Sequence, residues 1–128
     1  METCRVLVIE DELLVGLDLV FTLQGAGFRQ VEHAMNEPEA LDRLHSETWD
    51  AVVADANLNG RGIHRIAELL QKKRLPFLVV TGYARENLPA VIGEAPVLTK
   101  PFSHREVVRS VQQLCGCLPN LLSSPTTA

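Results

Sequence analysis

Five polar residues stand where apolar runs of this 128-residue chain stop: Glu10 and Asp11 after Cys4–Ile9, Asp55 after Ala51–Ala54, Thr81 after Pro76–Val80, and Lys100 close after Val97-Leu98. Three carboxylates brought together repel one another and raise each other's pKa values unless a cation lies among them. A hard divalent ion with oxygen ligands relieves that conflict, and Mg²⁺ suits a site of few carboxylates that keeps several waters. A lysine ammonium opposite such an ion, with a threonine hydroxyl beside it, can hold the oxygens of a phosphoryl group. Phosphoryl transfer depends mainly on positioning and on stabilising charge on the equatorial oxygens. The chemistry these residue types would support is a phosphoryl group carried on Asp55.

The elements that must bring these residues together follow from periodicity. Cys4–Ile9 is almost continuously apolar, as a strand buried on both faces of a parallel sheet would be. Leu14, Leu17 and Phe21, with Leu13 and Val20 beside them, predict one apolar face of a first helix that Gly25 and Gly27 end. Residues 28 to 33 predict a second strand. Asn36 as N-cap, Pro38 in the first turn and Glu39 announce a second helix through Leu41 and Leu44. Trp49-Asp50 leads into a third strand, Ala51–Ala54, and Asn57, Asn59, Gly60 and Gly62 signal a loop. His64–Lys73 predicts a third helix, and Pro76–Val80 a fourth strand that Thr81-Gly82 ends. Periodicity is weak over 84 to 93, where Pro89 shortens any fourth helix. Val97-Leu98 makes a brief fifth strand. Ser103 and Glu106 form a capping box ahead of Val107, Val108, Val111, Leu114 and Cys115 on a last helix.

Strands alternating with helices predict an α/β fold, a single doubly wound five-stranded parallel sheet of flavodoxin-like (βα)5 form with strand order 2-1-3-4-5. In that order strands 1 and 3 meet at the topological switch point, where ligands bind outside the carboxyl ends of the strands. All five residues then lie on one rim. One domain, 1–118, is expected, with a flexible Pro-, Ser- and Thr-containing tail over 119–128.

Composition narrows the function. Apolar residues are 46% and charged residues 22%, as in soluble globular proteins, and no apolar run approaches the roughly 18 residues of a membrane span. The formal charge of −4 argues against nucleic-acid binding, which needs clustered Lys and Arg. The adjacent cations Lys72, Lys73 and Arg74 suit a helix C-terminus. Cys4, Cys115 and Cys117 read as small core hydrophobes, and with no secretion signal a reducing cytoplasm fits. His33, His45, His64 and His104 are scattered, with no spacing for a shared metal.

The motifs Val-Ile-Glu-Asp-Glu at 8–12, Ala-Asp-Ala-Asn-Leu at 54–58, Thr81-Gly82 and Lys100-Pro101-Phe102 together resemble the receiver domain of two-component response regulators, over residues 4 to about 118. The resemblance implies that Asp55 is the phosphoacceptor. It also implies that Mg²⁺ is held by Asp11, Asp55 and the Asn57 backbone carbonyl, with Glu10 acting through a water. Thr81 would be the switch hydroxyl, Lys100 would pair with the phosphoryl group, and the Lys100-Pro101 bond would be cis. Glu12 is expected in the first turn of helix 1 and not on the metal. Where such domains usually carry an aromatic residue, three positions before the lysine, this chain has Val97. The stretch Pro76–Tyr83 is similar to a receiver subfamily marked by Phe-Ala-Thr-Gly, with Val79-Val80 in place of Phe-Ala. That likeness would pass the switching role to Tyr83, beside Gly82.

What this implies is a phosphorelay component that catalyses only its own phosphorylation and dephosphorylation. Its donor would be a sensor histidine kinase or histidine phosphotransfer protein. A downstream protein would read the face of helix 4, strand 5 and helix 5. A phosphate sink needs the same residues and no output. An aspartyl-phosphate phosphatase would want an acidic residue where Asn57 stands. A degenerate receiver, binding a partner without phosphorylation, is the remaining alternative that Val97 raises.

Overall fold

The computed structural model of the protein describes residues 3–58, 60–82 and 87–116. Five parallel strands, β1 (Arg5–Ile9), β2 (Gln30–Ala34), β3 (Ala51–Asp55), β4 (Phe77–Thr81) and β5 (Val97–Thr99), form one sheet in the order β2-β1-β3-β4-β5. Among the described residues four α-helices connect or follow them: α1 (Leu13–Gly25), α2 (Glu37–Ser46), α3 (His64–Lys73) and α4 (His104–Leu114). Between β4 and β5 the described residues include a 3-10 turn, Ala90–Ile92, and no α-helix. The weak helix expected over 84–93 falls partly outside the described residues, and its described part is not α-helical. Pro89 is the N-cap of that turn and has no N–H to continue a helix. Tyr83, Cys117 and the tail 119–128 lie outside the described residues.

β1, β3 and β4 are buried along nearly their whole length, which is why they read as unbroken apolar runs. Alternate side chains enter opposite layers. Leu7, Ile9, Val52, Ala54, Phe77 and Val79 pack with Leu44, Ile66 and Leu70 of α2 and α3. Val6, Val8, Val53, Leu78 and Val80 pack with α1 and with Val107 and Val111 of α4. Each fully buried Val, Leu, Ile or Phe among these contributes about 1.5–3 kcal/mol.

The helix starts follow local rules. Asn36 accepts a hydrogen bond from the Glu39 N–H at 2.8 Å, and Ser103 and Glu106 complete a capping box. Strand β2 is displaced slightly from the expected 28–33, although Phe28 ahead of it is fully buried.

Helix α1 departs most from expectation. Its buried residues are Gly16, Leu19, Val20 and Leu23, whereas Leu14 is 79% and Phe21 64% exposed. The expected Leu14–Leu17–Phe21 face is therefore mostly on solvent. Apolar residues occur around the helix, and the small Gly16, not the largest apolar stripe, is what fits against β2.

Candidate functional site

The carboxyl ends of the strands bring together the residues singled out from sequence. β1 runs straight into Glu10, whose N–H donates to the Ala34 carbonyl at 3.0 Å and whose side chain is wholly buried. Its Oε2 accepts the Glu12 N–H at 3.1 Å, folding the turn that leads into α1. Its Oε1 is buried with no hydrogen-bond partner among the described residues, and Lys100 Nζ lies 4.0 Å away, beyond hydrogen-bonding range. Burial pushes the Glu10 carboxyl up from 4.5 to about 7; the neighbouring Asp55 and Asp11 carboxyls add to this, against the pull of the Glu12 N–H and Lys100.

Asp55 ends β3, only 6% exposed, and its Oδ1 accepts the Asn57 N–H at 3.1 Å. Burial raises its pKa, opposed by that N–H and by Lys100. One carboxylate oxygen each from Glu10, Asp11 and Asp55 lies within 4.8 Å of the others. Asp11, Glu12, Asp55, Asn57, Thr81, Gly82 and Lys100 line a cleft of about 420 Å³ over this cluster. Thr81 is buried at the end of β4, and the Lys100 N–H donates to its carbonyl at 2.7 Å, which ties the two phosphoryl-binding candidates together. The Lys100–Pro101 peptide bond is cis. Glu12 is the exposed N-cap of α1, so it precedes the first turn instead of occupying it and stands outside the carboxylate triple. Asn57 begins a two-residue antiparallel pairing with Arg61–Gly62, where a plain loop was expected. Gly60, with φ of +79°, holds a backbone conformation that suits glycine.

The donor set fits a small divalent cation. Three converging carboxylate oxygens supply the charge, and the orphaned Glu10 Oε1 is the kind of buried acceptor that a cation's water would satisfy. Sequence reasoning passed over His33, whose Nε2–H donates to the Glu10 carbonyl at 2.8 Å. Its neighbour Gly16, a glycine inside helix α1, was the available hint.

The sequence profile of the response regulator receiver domain matches residues 6–112. The chain belongs to that family. This receiver domain is similar to the transcriptional regulatory protein PdtaR of Mycobacterium tuberculosis, at 30% identity over 112 residues, covering 84% of this chain and 55% of PdtaR. The chain thus spans about half the length of the curated relatives it matches. Among solved structures it is similar to TrrA of Thermotoga maritima in complex with Mg²⁺ and BeF, at 27% identity and a TM-score of 0.77, covering 88% of this chain and 99% of TrrA. It is also similar to SdrG of Sphingomonas melonis, at 28% identity and a TM-score of 0.74, covering 89% of this chain and 98% of SdrG.

Proposed function

We propose that this receiver domain accepts a phosphoryl group on Asp55 in a Mg²⁺-dependent reaction, as one component of a cytoplasmic phosphorelay, and acts on no other substrate. The observation that carries this is the buried Asp55 carboxyl in the cleft, with the Glu10 and Asp11 oxygens within 4.8 Å and Lys100 on the cleft wall. Asp11, Asp55 and the Asn57 carbonyl would hold Mg²⁺, with Glu10 engaged through a water. The ion supplies charge neutralisation for an anionic donor approaching an anionic acceptor.

Within this arrangement an Asp55 oxygen attacks the phosphorus of a phosphohistidine donor; a P–O bond forms as the P–N bond breaks, and the donor imidazole departs. Lys100 neutralises the transferred oxygens, and the Thr81 hydroxyl donates to one of them. The donor must cover the rim, and α1, which begins there, offers Leu13, Leu14 and Phe21 as exposed apolar residues. They suit a helix of a kinase or phosphotransfer protein that carries the histidine.

The phosphorylated state would bias the segment after β4, with β5 and α4, toward binding a downstream protein. Val97 is half-buried and has no ring to swing, so the switching role passes to Tyr83. Fluorine NMR with beryllofluoride tests the site. A bound signal that needs both Mg²⁺ and the Asp55 carboxylate is expected. A signal that persists in Asp55→Asn would sink the assignment, and none in the wild-type protein would favour a phosphorylation-independent binding module.

A further inference from the structure

His33 and Gly16 lie behind the rim and are not among the residues lining its cleft. The half-buried His33 ring places Nε2 2.8 Å from the Glu10 carbonyl oxygen. A carbonyl oxygen can only accept, so the ring presents Nε2–H. The Glu10 N–H meanwhile donates to the Ala34 carbonyl at 3.0 Å. Two consecutive residues of β2 therefore hold both main-chain polar groups of Glu10, just past the last paired residues, Ile9 and Ala34. The Glu10 carbonyl shares one rigid plane with the Asp11 N–H. Fixing that plane fixes the direction in which Asp11 leaves the strand, and with it the placing of two of the three clustered carboxylates.

Gly16 makes room for the ring. A Cβ on Gly16 would stand 2.1 Å from both Cε1 and Nε2 of His33 and 2.8 Å from Cδ2. The imidazole occupies the space that any side chain at position 16 would need. Glycine inside a helix is unfavourable relative to alanine, and here it is compensated by a contact between α1 and β2 that reaches the site.

We propose that the Gly16–His33 pair is a positioning device that locks the Glu10–Asp11 peptide plane and thereby sets the divalent-cation affinity of the carboxylate cluster. This rests on the cation reading under Proposed function, so the test has an arm that needs no metal.

Mg²⁺ affinity is measured by titration calorimetry, and the Asp11 amide resonance by NMR without metal, for wild type, His33→Ala, His33→Gln, Gly16→Ala and Gly16→Ala/His33→Ala. Glutamine carries an N–H donor the same number of bonds beyond Cβ as the histidine Nε2. Loss of an outer partner of a metal ligand typically weakens binding roughly 10–100-fold, and His33→Ala is expected near the lower end. His33→Gln should restore most of it. Gly16→Ala should weaken binding by a similar factor when His33 is present and have no further effect once the ring is gone. His33→Ala affinity equal to wild type, or His33→Gln as weak as His33→Ala, overturns the proposal, and these two variants decide it even if Gly16→Ala does not fold. If the wild type binds no Mg²⁺, the cation reading fails and the metal-free amide decides the positioning role: a resonance moved by His33→Ala and restored by His33→Gln upholds it, and an unmoved resonance overturns it.

Discussion

Glu10 has no exposed surface, and its carboxyl is raised from 4.5 to about 7, so between those pH values the folded chain holds a proton that the unfolded chain has released. Where the folded state binds more protons, stability falls as pH rises. The contribution is fully present below pH 4.5 and is lost as pH climbs through about 7, and Asp55, also raised by burial, acts in the same sense. For Glu10 the loss amounts to roughly 3 kcal/mol at most. Metal-free wild type should therefore lose stability relative to Glu10→Gln as pH rises toward 8, in paired urea titrations, and saturating Mg²⁺ should remove the difference. Parallel pH profiles for the two proteins would show that Glu10 is not buried as an acid. The five rim residues were legible because a charged or hydroxyl group stopping an apolar strand is a local signal. His33 was not, because its role depends on a glycine in another element and on a main-chain carbonyl that no residue type reveals.

At the scale of the elements, β1, β3, β4 and α4 could be read because burial on both faces, or a capping box, leaves a pattern in consecutive residues. Helix α1 could not be oriented, since apolar residues lie all round it and only packing distinguishes Leu19 and Leu23, at 2% and 0% exposure, from Leu14 at 79%. Thermal or denaturant melts should separate the two sets. Leu23→Ala should cost about 3 kcal/mol through the cavity it leaves, while Leu14→Ser should stay within about 0.5 kcal/mol. If Leu14→Ser proved the more damaging, the helix would be rotated from the orientation described. The segment before β5 resisted prediction for a different reason: Pro89 breaks the pattern, and Ala90–Ile92 just after it form a 3-10 turn.

Across the whole molecule, the sheet has two separately packed faces, and the acidic cluster sits on the rim at the carboxyl ends of its strands. Helix α1 leads from that rim and presents exposed Leu13, Leu14 and Phe21, the surface on which the donor is proposed to dock. The account stands or falls on Asp55. Intact-protein mass spectrometry after incubation with acetyl phosphate and Mg²⁺, alongside Asp55→Asn and a chelator control, tests it most directly. A single added phosphoryl group, absent in both controls, is the predicted result. The same added mass on Asp55→Asn, or on the wild type without a divalent ion, would contradict it.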